Sequence, residues 1–276
     1  MNELAKPNAS QLRQSLPQWI KDLDQLVRGE ATKLSALRKG IIDLPSDGLQ
    51  IAIVFLGMIY GMCMGSYALL KGDSTSFLQF LSGMIKVPIL FLLTLLVTFP
   101  SLYVFNTLVG SRLSIVALWR LLIASVAVTL AVLASFGPIV AFFSLSTTSY
   151  SFMLLLNVLV SGAAGVLGLR FLIQTLHRLT LIEAQQQKTP PVLADPKESG
   201  ALDQTGGQAM GPHVKFVFRC WVIAFALVGA QMSWVLRPFL GSPDEPFSLF
   251  RSRESNFFEA IWHHITRLFS RSWRTD

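Results

Sequence analysis

Five long apolar runs in this chain contain no aspartate or glutamate, and residues charged at neutral pH make up only 14% of all 276. A soluble domain carries nearer a quarter. With 52% of the residues hydrophobic, there is too little charge to cover a water-facing surface, which excludes an ordinary soluble enzyme. Cysteine is almost missing as well. Cys63 and Cys220 fall inside or at the edge of apolar runs without metal or redox spacing, so both read as small buried hydrophobes. The catalytic signatures HExxH, GxSxG, GxGxxG, a Walker loop and an aspartate cluster do not occur. His263 and His264 are neighbours, pointing about 100° apart on a helix, so they cannot ligate one ion together. Glu259 with His263 reads as a solvated helix face. The chain is therefore expected to be no enzyme and to hold no metal or cofactor.

What is present is apolar length. A hydrocarbon core about 30 Å thick needs roughly 20 apolar residues in a helix. Five runs meet this: Leu49 to Leu70, Phe77 to Val109, Leu121 to Phe143, Phe152 to Ile173 and Phe216 to Leu236. Unpaired backbone groups are excluded from lipid, and the short alternating segments of a barrel do not occur, so the runs predict an all-α, polytopic transmembrane helix bundle. The second run contains Lys86, Pro88 and Pro100. It is too short for two crossings and a loop, and is read as one kinked span over about Val87 to Val109. The organisation expected is a cytoplasmic amphipathic segment (1–48), spans one to four (49–183), a flexible cytoplasmic linker (184–212), a fifth span (213–240) and an external tail (241–276).

Orientation follows from basic residues, which stay on the cytoplasmic side. With the N-terminus inside, Arg38, Lys39, Arg112, Arg120, Arg170, Arg178, Lys215 and Arg219 lie at inner ends, against only Lys71 and Arg237 at outer ones. The prediction is N-in and C-out. The first apolar block follows 48 largely polar residues, so it reads as an uncleaved anchor. The same pattern assigns the net charge of +7 to the membrane surface and not to nucleic acid. Asn8-Ala9-Ser10 matches a glycosylation acceptor, inert on the cytoplasmic side.

Both flanks are amphipathic. Leu12, Leu16, Trp19, Ile20, Leu23, Leu26 and Val27 recur at helical spacing, predicting a helix that lies on the cytoplasmic leaflet, packs on its own bundle or meets a partner. Gly29 and Gly40 bound a second short helix. Phe257, Phe258, Ile261, Trp262, Ile265, Leu268 and Phe269 predict an interfacial helix in the tail. Between spans four and five, the composition from about Ala184 to Pro212 is that of a linker.

Gly57, Gly61 and Gly65 recur every four residues, a spacing that aligns them on one helix face and lets a neighbouring backbone approach closely. Ser161 and Gly165 repeat the theme in the fourth span, beside Ala164 and Gly168, and Ala127, Ala131 and Ser135 in the third. These are read as helix-packing seams, within the chain or against a second copy. Intramembrane polar residues are functional candidates by default: Lys86, Asn106, Asn157, Gln174 and Gln231. Lys86 is placed near the outer end of its span, where its stem can snorkel to the headgroups. Arg237 stands against the inside rule, directly before Pro238, and needs a compensating contact. The helix-end carbonyls, or Asp244 or Glu245 brought back by the Gly241-Ser242-Pro243 turn, would supply it.

Three stretches, YGMCMGSY at Tyr60 to Tyr67, KVPILFLLTLLVTFPSLYVFNTLVG at Lys86 to Gly110 and QMSWVLRPFLGSP at Gln231 to Pro243, resemble a group of bacterial multi-span inner-membrane proteins of uncharacterised function. The likeness covers Leu44 to about Phe258. In layout alone the chain is similar to the Yip family of five-span membrane proteins. What the resemblance implies is a scaffold or adaptor of a bacterial envelope, with Arg237-Pro238-Phe239 and Gly241-Ser242-Pro243 as its most distinctive positions. The expected function is thus a non-enzymatic scaffold of the inner membrane, in contact with lipids and a membrane-protein partner or a second copy. The alternative is a small transporter or channel component with a path through Lys86, Asn106, Asn157 and Gln231.

Overall fold

A computed structural model describes residues 17–30, 46–71, 76–108, 115–187, 223–231 and 257–272. All of its regular structure is helical. In chain order the helices are α1 (Gln18–Val27), α2 (Ser46–Lys71), α3 (Ser76–Leu108), α4 (Ile115–Ser146), α5 (Tyr150–Gln187), α6 (223–231) and α7 (Phe257–Ser272).

Four of them, α2 to α5, are long and apolar enough to cross a membrane. The 26 residues of α2 span about 39 Å at a rise of about 1.5 Å per residue. The second apolar run is one unbroken helix of 33 residues that passes through Pro88 and Pro100, so it forms a single pass. Each proline removes one backbone donor, a loss that neighbouring helices and hydroxyl side chains make tolerable in lipid. Of the fifth run only α6 is described, and it is helical. The helix α5 continues through Gln187, so residues 184–187 extend it and do not begin the linker; 188–212 lie outside the described residues.

The core is built around α4. From Leu121 to Ala127 it is buried on every side, as expected of a helix that is apolar all round. α2 packs on α3 and α4, α5 packs on α4, and α3 also touches α4. The outward faces carry Ile51, Phe55, Leu69, Leu96, Phe142 and Leu159, the side chains a bilayer would cover.

The flanking helix α1 packs on the start of α2 and on α4. Leu26 is buried and Trp19 stacks on Phe55 with ring centroids 5.3 Å apart. Gly29, at φ 71°, ends the helix in the left-handed conformation. Its amide donates to Leu26 O at 3.0 Å and that of Glu30 to Gln25 O at 2.9 Å, the paired bonds that satisfy a helix terminus. On the solvent side Arg28 donates to Asp24 at 2.6 Å. That hydrogen bond and the carboxylate's charge hold the guanidinium pKa above its ordinary value. The expected second N-terminal helix, at 31–45, lies outside the described residues.

The tail helix α7 packs on α5, yet Trp262 keeps 66% of its surface exposed and Phe258 is also exposed. Its apolar stripe is therefore wider than its contact with the bundle, because Ile261 and Ile265 are the half-covered positions.

Candidate functional site

The glycine face of α2 meets α3. A Cβ at Gly61 would lie 2.7 Å from Gly83 O and 2.8 Å from Met84 Cα; one at Gly57 would lie 3.0 Å from Pro88 Cβ, and one at Gly65 3.2 Å from Phe80 Cα. The two helices run antiparallel, so Gly65, Gly61 and Gly57 descend opposite Phe80, Gly83-Met84 and Pro88. Backbone meets backbone at Gly61 with no side chain between. The sequence reading missed Gly83 as the answering small residue, because a single glycine in an apolar run has no periodicity to mark it.

This register fixes the height of Lys86. It stands between Met84 and Pro88, and therefore level with Ile59, halfway along α2. Only 8% of its surface is exposed. The expected position near the outer end of a span does not hold: α3 begins at Ser76, ten residues before Lys86, so the Lys86 backbone stands level with the middle of α2 and its side chain is enclosed.

At the same height α2 and α5 share a buried polar pair. The Tyr60 hydroxyl donates to Asn157 Oδ1 at 3.0 Å, and Asn157 Nδ2 donates to Met153 O at 2.9 Å. Asn157 is fully buried, and Ser161 stands one turn along α5. A buried amide with both ends satisfied costs little and fixes one helix against another. Tyr67 adds a second tie, donating to Thr148 O in the α4–α5 turn at 3.1 Å. The aromatic hydroxyls were not among the sequence candidates, since tyrosine at a span position gives no sign of which way its hydroxyl points.

Further hydroxyls lie toward the end of the bundle where α2 begins. Ser125 donates across to Gly168 O at 2.8 Å and Thr129 to Ser125 O at 2.9 Å. A Cβ at Gly168 would collide with Thr129 Oγ1. The seam between α5 and α4 therefore runs along Ala164 and Gly168. Ser161 is half-buried, and Gly165 is exposed with nothing within 4 Å of an added Cβ. On α3, Thr98 donates to Thr94 O at 2.7 Å, whereas the buried Thr94 Oγ1 has no hydrogen-bond partner among the described residues. Thr94 faces α6, its Cγ2 3.9 Å from a Cβ built at Gly229.

Where α2 begins, Asp22 of α1 is buried over Gly48, where a Cβ would meet its Oδ2. Gln18 Nε2 donates to Asp22 Oδ1 at 3.1 Å, and Oδ2 has no hydrogen-bond partner among the described residues.

The remaining expected positions are dispersed. Gln231 is exposed at the end of α6 and Gln174 is exposed on α5. Asn106 lies within α3, its side chain outside the described residues, as are Arg237, Pro238, Gly241 and Pro243 altogether. Of the polar path read from sequence, the structure places Lys86 and Asn157 at one height. Among the described residues no three of His, Cys, Asp and Glu converge. Comparison with known proteins finds no matching family model, no matching curated protein and no matching solved structure.

Proposed function

We propose that the chain is a non-enzymatic scaffold or adaptor of a bacterial inner membrane, crossing it five times with its N-terminus in the cytoplasm and its C-terminus outside. The reading joins the four long apolar helices to the fifth apolar run and the inside bias of the basic residues. One observation carries it: the α2–α3 seam is closed by direct backbone contact, a rigid packing that suits a platform better than a conduit. The amphipathic flanks then present it, α1 against the inner end of the bundle and α7 along α5 with Phe258 and Trp262 turned outward. Its contacts are lipids and a membrane-protein partner or a second copy. Photo-cross-linkers at Gln25, Trp262 and His263 in native membranes test this. A discrete protein adduct, matched by a complex heavier than the 30.5 kDa chain on native gels, is expected. Adducts with lipid alone and migration as a monomer would overturn it.

A second reading, a small transporter or channel component, is favoured by one specific observation. Lys86 is enclosed at mid-height beside the level of Asn157, and ionisable residues inside a membrane bundle mark solute or ion paths more often than they mark structure.

A further inference from the structure

The uncovered side of α5 changes character along its length. Leu159, Ala163, Val166, Arg170, Gln174 and His177 follow one another at spacings of four or three residues, which places them on one side of the helix, and all six are exposed. The opposite side holds the buried Ala164, Gly168 and Leu172. The first half of the exposed strip is apolar and shallow: beside Ala163, a Cβ built at Gly162 would meet nothing within 4 Å. The second half is polar, and Arg178 is exposed at its margin. Arg170 and Gln174 have no hydrogen bond among the described residues.

The lengths fit a bilayer. Arg170 lies 20 residues beyond Tyr150 on one unbroken helix, about 30 Å at helical rise and equal to the thickness of a hydrocarbon core. With Tyr150 at one interface, Leu159 to Val166 lie in hydrocarbon and Arg170 to His177 at the headgroups of the other. No Asp or Glu occurs in α5 before Glu183. Asp22 and Asp47 stand on α1 and α2, which pack on α4, whereas Arg170 is on the side of α5 turned from α4. The positive charge is thus local to the strip and no property of that whole end.

We propose that this strip binds an anionic phospholipid. An acyl chain lies along Leu159, Ala163 and Val166, and the headgroup phosphate accepts hydrogen bonds from the Arg170 guanidinium and the Gln174 amide. A guanidinium presents paired donors that match two phosphate oxygens, and basic residues at a membrane surface attract anionic lipid. The proposal rests on the reading above that lipids are among the contacts of the chain, and names their class and their place.

The test uses the purified full chain in detergent, with phosphatidylglycerol and phosphatidylcholine of identical acyl chains as probes and native mass spectrometry to count retained lipid. Phosphatidylglycerol is expected to be retained about fivefold more than phosphatidylcholine. Arg170→Gln is expected to remove most of that preference, Arg170→Lys to keep part of it and Gln174→Leu to weaken it. Arg28→Gln, which removes a charge from α1, is expected to leave it unchanged. Equal retention of the two lipids by the wild-type chain overturns this inference alone, since the cross-linking test of the scaffold does not depend on Arg170. Retention of neither lipid overturns it together with the lipid contacts of that reading. A loss in Arg28→Gln as large as in Arg170→Gln would assign the preference to net charge and overturn the site, and displacement of the lipid by inorganic phosphate at matched concentration would overturn the choice of a lipid. Should Arg170→Gln fail to fold, Gln174→Leu decides, and an unchanged preference in that variant overturns the proposal.

Discussion

Gly61 has backbone on both sides of the place where a side chain would stand. Replacing it by alanine forces α2 and α3 apart at Gly83 and Met84, an overpacking that costs about 1–3 kcal/mol. Gly165 is the internal control, since its Cβ would meet nothing within 4 Å. Alanine there removes only backbone freedom and is expected to be neutral or to stabilise by about 0.5–1 kcal/mol. Thermal melts in one detergent compare the two; a loss at Gly165 as large as at Gly61 would contradict the assigned faces. The Tyr60–Asn157 bond is a smaller contribution of about 0.6 kcal/mol. Tyr60→Phe and Asn157→Leu should each lower the melting point slightly, and the double variant should lose less than their sum because the lost bond is shared. The sequence showed that small residues recur in the fourth span. It did not show which recurrence faces inward, because Ser161–Gly165 and Ala164–Gly168 have the same spacing and differ only in what lies opposite.

At the scale of the helix, α1 is held by a fit between one carboxylate and one missing side chain. Gly48→Ala puts a methyl group into Asp22, so α1 should lift from the start of α2, and Asp22→Ala in the same chain should let it settle again. Trypsin cleavage after Arg28 reads this: faster in Gly48→Ala, restored in the double variant. Equal rates in all three chains would mean that α1 is held without this contact. The stripe of Trp19, Ile20, Leu23 and Leu26 was legible from its period, since burial on one face requires it. Its resting place was not, because an apolar stripe fits a leaflet, a bundle or a partner equally well. The depth of Lys86 was hidden for a related reason. An apolar run longer than the bilayer does not say where crossing begins, and the register that decides it comes from Gly57, Gly61 and Gly65 fitting Pro88, Gly83 and Phe80.

For the whole molecule, the four long spans were legible because length and hydropathy alone select them. The arrangement around a central α4 was not, since every span is apolar and composition does not rank them by burial. The proposed topology is tested by cysteine labelling at Gln186, Ser146 and Ser252, expected to react from the cytoplasm, the outside and the outside. Cytoplasmic labelling of Ser252 would mean that the fifth run does not complete its crossing.

The closeness of α2 and α3 in the chain also sets an order of assembly. Only residues 72–75 separate them, so their seam can close as a helical hairpin as soon as α3 leaves the ribosome, at little cost in chain entropy. The Tyr60–Asn157 bond joins residues 97 apart and must wait for α4 and α5. Between these two events the hairpin sits in the membrane with Tyr60 not yet paired and with α4's place beside it filled by lipid. A defect at Gly61 therefore acts on the nascent chain, and a defect at Asn157 on a nearly finished one. Quality control in the cell would meet the first as a short hairpin to be cleared early, and the second as a full-length protein that ages quickly.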